Sequence, residues 1–130
     1  MYTGIVAGTA PILSVEEREG VRSFTIDLTG FDDGLEIGAS VALDGVCMTV
    51  VGINSGQIGF DAIEETLYRT TLADRSAGDT LNVERSLKMG DELGGHLLSG
   101  HVMCTAKILE RTKVGAVSYT HLTLPTICSV

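Results

Sequence analysis

The sequence predicts an all-β fold, a compact antiparallel barrel that forms one unit of a tandem duplication. Two observations carry the prediction. Short runs of alternating apolar and polar residues, punctuated by Asp44-Gly45 and Asn54-Ser55-Gly56, dominate residues 24–83. Closure into a barrel leaves such strands no exposed edge. The second observation is an internal repeat: T-G-I-V-A-G-T-A-P-I at residues 3–12 returns as S-G-H-V-M-C-T-A-K-I at residues 99–108. Gly4/Gly100, Val6/Val102, Thr9/Thr105, Ala10/Ala106 and Ile12/Ile108 are identical pairs at a constant offset of 96, and Thr3/Ser99 keeps a hydroxyl. A repeat of domain size marks a duplicated folding unit.

The elements follow in order. The repeated segment opens the first unit as a strand. Phe24, Ile26 and Leu28 alternate with Thr25 and Asp27 in the next. Val41 and Leu43 end a strand at Asp44-Gly45, a dipeptide suited to the positive φ of a tight hairpin turn. The returning strand, residues 46–53, stops at Asn54-Ser55-Gly56, and Ile58, Phe60 and Ala62 alternate beyond it. Residues 64–74 hold a helical turn or two, and Leu81 and Val83 mark a last strand. A unit of about ninety-six residues is large enough for one independent core.

Charge and composition narrow the function. A formal net charge of −8 argues against nucleic acid, whose phosphates need clustered Lys and Arg. The apolar start M-Y-T-G-I-V-A-G-T-A-P-I has no basic leader and is too short for a signal peptide or a membrane span, so no membrane role is expected. Cys47 and Cys104 stand as two isolated thiols without zinc or disulfide spacing. That usage fits a reducing, cytoplasmic setting, and the whole fits a small or neutral ligand.

Several residues are candidates for chemistry. In the strand after the hairpin, Val46, Met48 and Val50 share one face while Cys47, Thr49 and Val51 share the other. With the first face in the core, Cys47 and Thr49 point outwards together, roughly 7 Å apart. Such a thiol and hydroxyl can grip a heteroaromatic ring or assist chemistry; they also suit a small buried Cys beside an ordinary strand Thr. Histidine transfers protons near neutral pH, a role open to His101, which otherwise is a polar residue in a glycine-rich turn. His96, five residues earlier, has neither helical nor strand spacing for a shared metal, so no metal site is expected. Asp61 interrupts the apolar alternation and Glu64-Glu65-Thr66 follows, offering acceptors to a polyol or forming a solvated strand end. Gly90, Gly94, Gly95 and Gly100 lack the Lys-Ser/Thr of a phosphate loop.

The blocks M-Y-T-G-I-V, G-A-S-V-A-L-D-G-V-C-M-T-V, F-D-A-I-E-E-T-L, N-V-E-R-S-L and G-G-H-L-L-S-G-H occur in that order over residues 1 to about 110. Together they resemble the riboflavin synthases of the lumazine-binding repeat family. The resemblance implies two homologous six-stranded antiparallel Greek-key barrels per subunit, the second truncated here. It implies a transferase of riboflavin biosynthesis in which two molecules of 6,7-dimethyl-8-ribityllumazine exchange a four-carbon unit. The products are riboflavin and 5-amino-6-ribitylamino-pyrimidinedione, and no cofactor or metal is needed. It also implies a homotrimeric parent, with each site between the N-terminal barrel of one subunit and the C-terminal barrel of another. A non-catalytic lumazine- or flavin-binding protein of the same family is the alternative, and a barrel that binds another protein is the reading that ignores the family.

Carried onto matching positions, the substrate-binding residues are Gly4, Ile5, Val6, Cys47, Met48, Thr49, Asp61, Ala62, Ile63, Glu64, Glu65, Thr66, Gly100, His101 and Val102. The resemblance turns strand backbone groups to the imide-like edge of the pteridine and makes Cys47 and His101 the candidates for nucleophile or proton carrier. Three positions depart from the pattern. Tyr2 stands where the family more often has Phe, Asp44 where it frequently has Asn, and Glu64 where it often has Lys, reversing a charge beside the ribityl region.

Residues 117–126, V-S-Y-T-H-L-T-L-P-T, look like the in-frame translation of a sequencing-library adapter, whose index and stop would account for residues 127–130. Three regions are therefore expected: an N-terminal lumazine-binding barrel at 1–96, the first strand of a truncated second repeat at 97–115, and a non-native tail at 116–130. A genuine short strand is the alternative, since Val, Tyr, Thr and Leu favour strands. Such a fragment is expected to bind rather than catalyse, and two first barrels to self-pair in place of the missing partner. Long-read sequencing of the source DNA across the codons for Gly115 and Ala116 checks this. A frame continuing into a second repeat is the expected result; a frame that itself encodes the tail and stops after Val130 withdraws the enzyme assignment.

Overall fold

Alternation along each run decides which side chains meet. The computed structural model describes residues 1–123. Its first unit runs β1 (Gly8–Arg18), β2 (Val21–Asp27), β3 (Ser40–Leu43), β4 (Val46–Asn54), β5 (Gln57–Ile63), α1 (Glu64–Arg69), a 3-10 turn (Thr71–Asp74) and β6 (Thr80–Arg85). These strands close into an antiparallel barrel in the order β1-β2-β5-β4-β3-β6. Hairpins join β3 to β4 and β4 to β5, and β2 returns to lie beside β5, which is a Greek key. The expected six-stranded barrel is present.

The core is the set of inward residues that the alternation marks. Phe24 and Ile26, Val41 and Leu43, Val46, Met48 and Val50, Ile58, Phe60 and Ala62, and Leu81 and Val83 are buried together with Ala10 and Ile12. Three two-residue turns carry positive φ at both positions: Glu19-Gly20 (47° and 81°), Asp44-Gly45 (49° and 79°) and Ser55-Gly56 (46° and 80°). This geometry matches the twist of the flanking strands. The second and third turns are legible in the sequence; the first is not, because the outer half of β1 is polar and exposed, without a clear alternation.

The second repeat begins differently from the expectation. Residues 99–107 form no strand, and the expected strand starts only at β7 (Ile108–Val114), which pairs with β8 (Val117–Leu122) in a separate hairpin. Its register repeats the first hairpin. Ile12↔Ile26 and Arg18↔Val21 of β1–β2 become Ile108↔Leu122 and Val114↔Val117, and the irregularity between Ile12 and Ser14 recurs between Ile108 and Glu110. Every pair is displaced by 96 on both strands. Both strands are exposed throughout.

β8 lies inside the adapter-like run, whose strand-favouring residue types suit this conformation. At the positions equivalent to Phe24 and Ile26 of the core, however, it carries Thr120 and Leu122. The part of the tail expectation that falls on residues 124–130 lies outside the described residues. Cys47 is a free thiol, whereas Cys104 is disulfide-bonded. Of the two thiols expected to be isolated, Cys47 alone is free. Among the described residues no helix is long and apolar enough to cross a membrane.

Core and hairpin should respond differently to truncation. Phe60→Ala is expected to cost about 3–5 kcal/mol by opening a cavity, whereas Thr112→Ala in β7 should stay within about 0.5 kcal/mol. Urea unfolding of both variants measures this, and comparable losses would place the hairpin inside the cooperative unit.

Candidate functional site

The site begins where two neighbouring strands part. β4 pairs with β3 from Leu43↔Val46 to Ser40↔Thr49, but with β5 only from Val50↔Phe60 onwards. β5 pairs with β2 as far as Val21↔Ile63. Residues 46–49 and 61–63 therefore each have a ladder partner on one side only. Val50 N–H donates to Ala39 O at 2.9 Å, on the β3 side. Cys47 N–H donates to Gly100 O at 2.9 Å, on the other side. Because backbone groups alternate along a strand, those of Thr49 also face the parted side.

The returning segment fills part of this gap. Tyr2 and Leu98, residues 96 apart in the repeat, form an antiparallel bridge, with Tyr2 N–H donating to Leu98 O at 2.8 Å and Leu98 N–H to Tyr2 O at 2.9 Å. The bridge delivers Gly100 onto β4. Gly100 has φ of +78°, and a Cβ there would lie 2.8 Å from the Cys47 Cβ and 2.9 Å from Tyr2 Cε2. Only glycine fits both the conformation and the approach. Val102 packs against the core edge. On the far wall, Arg69 of α1 donates to Met103 O at 3.0 Å and pairs with Glu65 one helical turn away.

These elements enclose a cleft of about 190 Å³ lined by Val46, Cys47, Glu65, Thr66, Arg69, Thr70, Gly100, His101 and Val102. Of the residues expected to bind, it brings together Cys47, Glu65, Thr66, Gly100, His101 and Val102. Gly4 and Val6 line an adjoining hollow of about 220 Å³ with Tyr2, Leu98 and Gly100. Met48 and Ala62 point into the core, so only their backbone groups can reach a ligand. Thr49 is exposed on the outer face of β4, and Asp61 accepts a hydrogen bond from Ser23 Oγ at 2.6 Å across the β2–β5 pair. Ile63 and Glu64 flank a different hollow, with Tyr68 and Ala73. Ile5 faces a groove beside Glu84, away from the cleft.

Tyr2 was noted in the sequence only as an aromatic replacement. In the fold it is 1% exposed and its hydroxyl donates to Cys47 Sγ at 3.2 Å. Burial, and then the hydrogen bond to Cys47, push its phenol above the usual range, with the Ser40 hydroxyl acting in the opposite sense. Arg69 and Thr70 were also missed, because their placement depends on the turn after α1 and not on any local motif.

A Greek-key barrel with a cleft at a parted strand edge defines a small-molecule-binding barrel. The chain matches the lumazine binding domain over residues 3–86 and belongs to that family. It is 50% identical over 109 residues to a riboflavin synthase of Escherichia coli (strain K12), covering 83% of this chain and 51% of the relative. It is 42% identical over 127 residues to a riboflavin synthase of Brucella abortus (strain 2308), covering 92% and 62% respectively. The chain thus spans about half the length of the curated relatives it matches. The crystal structure of LumP complexed with 6,7-dimethyl-8-(1'-D-ribityl) lumazine superposes with a TM-score of 0.86 at 23% identity, over 98% of this chain and 71% of that one. That likeness shows the shared fold.

The raised Tyr2 value has a consequence for stability. Tyrosine in the unfolded chain ionises near pH 10, and Tyr2 in the fold does so higher. Its contribution is therefore present in full below about pH 10 and is lost as pH rises towards the folded value. Tyr2→Phe should flatten this alkaline loss, read as urea midpoints at about pH 8 and pH 11. Equal losses in both proteins would contradict the burial argument.

Proposed function

We propose that this chain is the first barrel of a riboflavin synthase and that its cleft binds the ring of 6,7-dimethyl-8-ribityllumazine or riboflavin edge-on against β4. The observation that carries the reading is the parted edge of β4, whose Thr49 backbone groups face away from β3 beside a half-buried thiol. An imide edge presents a donor between two acceptors, the pattern that an open strand can meet. Family membership and the riboflavin synthase relatives favour a ligand of this class. The LumP crystals, which share the fold, contain the lumazine in one case and riboflavin in another.

The ring would enter between β4 and the Gly100-His101-Val102 segment, with the ribityl chain running towards Thr66 and the carboxylate of Glu65. Arg69 already pairs with Glu65, and Glu64 faces a neighbouring hollow with Ile63 and Tyr68. Cys47 and His101 line the same cleft, one offering a thiol and the other an imidazole to the ligand.

The full reaction needs more than one such cleft. Exchange of a four-carbon unit requires two ring systems face to face, and holding them together converts a bimolecular encounter into a near-unimolecular step. The second barrel of a longer parent, assembled as a trimer, would present the second ring. The 130-residue chain alone is then a binder with little catalytic activity, and residues 116–130 are not part of the parent.

Riboflavin titration followed by flavin fluorescence tests the reading. Saturable quenching is expected for the unaltered chain, and Gly100→Ala should weaken it at least about tenfold, the equivalent of ~1.4 kcal/mol, because its Cβ collides with Cys47 and Tyr2. Fluorescence unchanged across a wide titration of the folded chain would remove the ligand assignment.

A further inference from the structure

We infer that the Ser99–Gly100 turn is a carboxylate-binding site, shaped to receive a glutamate from the sixth strand of a second lumazine-binding repeat. The first repeat shows the same site filled. Thr3 N–H and Thr3 Oγ donate to Glu84 Oε1 at 2.6 and 2.9 Å, and Gly4 N–H donates to Glu84 Oε2 at 3.2 Å. Thr3 Oγ also accepts from Ile5 N–H at 3.2 Å, and Gly4 has φ of +80°. Two successive N–H groups and a hydroxyl, gathered around a left-handed glycine, form a nest for an anion. Charged acceptors make the strongest bonds to such donors.

The second repeat builds the same turn. Ser99 Oγ accepts from His101 N–H at 3.0 Å, and Gly100 has φ of +78°. The hydroxyl, the two-residue hydrogen bond and the left-handed glycine are all reproduced at an offset of 96. Yet among the described residues no acceptor meets Ser99 N–H, Ser99 Oγ–H or Gly100 N–H, the three donors whose counterparts converge on Glu84.

The register identifies the occupant. In the first repeat β6 reaches the turn by pairing with β1 from Pro11↔Thr80 to Gly8↔Val83, and Ala7 N–H extends the ladder to Val83 O at 2.9 Å. Glu84 is the next residue of that strand. Residues 104–107, the counterparts of the β1 residues that pair with β6, form no strand here. The adjoining β7–β8 hairpin nevertheless keeps the first repeat's register. A sixth strand laid against residues 104–107 in that register brings its glutamate to Ser99 and Gly100. The inference rests on the reading of this chain as the first barrel of a longer two-repeat parent, but it requires no ring ligand.

Amide NMR on the 130-residue chain tests it. The probe is the heptapeptide Thr-Leu-Asn-Val-Glu-Arg-Ser, the sequence of residues 80–86, set against the same peptide with Gln for Glu. Saturable downfield shifts of the Ser99 and Gly100 amides are expected with the first peptide, at least about fivefold weaker with the second. Ser99→Ala, a change at an exposed position, should weaken the response further. In a separate arm, Glu84→Gln should move the Thr3 and Gly4 amides upfield, which validates the filled site as the template. The inference is overturned by Ser99 and Gly100 amides that ignore both peptides or follow both equally, and by Thr3 and Gly4 amides that ignore Glu84→Gln.

Discussion

A β-strand inside a closed barrel must satisfy backbone groups on both of its edges, and β4 does so along only part of its length. From Val50 onwards it lies between β3 and β5; at residues 46–49 only β3 remains. The rest of the structure is arranged around that exception. Gly100 supplies one missing acceptor to Cys47 N–H, the Tyr2–Leu98 bridge fixes Gly100 in place, and α1 covers the gap from the β5 side. What remains open is a cleft bounded by Val46 and Cys47 of β4, by Glu65, Thr66 and Arg69 of α1, and by residues 100–102. Strand groups without a ladder partner can be completed by an incoming chain or ligand edge.

The duplication shapes more than the amino-acid identities. The turn at Thr3–Gly4 and that at Ser99–Gly100 share their hydroxyl and their left-handed glycine, and the hairpins that follow them share one register, irregularity included. The two copies differ where β6 lies against the first, since among the described residues no strand takes that place in the second. Residues 8–11 pair with β6 and are strand; residues 104–107, which share Thr and Ala with them but carry Cys104 and Lys107 in place of Gly8 and Pro11, are not. Secondary structure at these positions is imposed by neighbours, in keeping with the context dependence of strand propensity.

Burial around Cys47 places a hydroxyl, a thiol and a glycine in contact at a point where the two copies meet. The Tyr2 phenol is removed from water and held by the sulfur, so the aromatic ring seals the barrel while its oxygen remains satisfied. Asp44, which follows β3 directly, has its own role. It accepts from Asn82 N–H at 2.8 Å and pairs with Arg75 at 2.7 Å, tying the β3–β4 turn to β6 and the 3-10 turn.

Local chemistry alone made much of this readable. The period-two alternation named nearly the whole core, because inward and outward positions along a strand differ in hydrophobicity by rule. Asp44-Gly45 and Ser55-Gly56 announced their hairpins through the φ they require, and the 96-residue offset announced the second unit. The pairing of Cys47 with Thr49 on one outward face followed from the same alternation. Tertiary structure alone decided where the strands part, which carboxylate holds the Thr3–Gly4 turn, and that Tyr2 reaches Cys47 across forty-five residues. It also separated Asp61, Ile63 and Glu64 from the cleft that Glu65 and Thr66 line. These facts depend on register and barrel closure, which join segments distant in the chain and leave no periodic trace in any one of them.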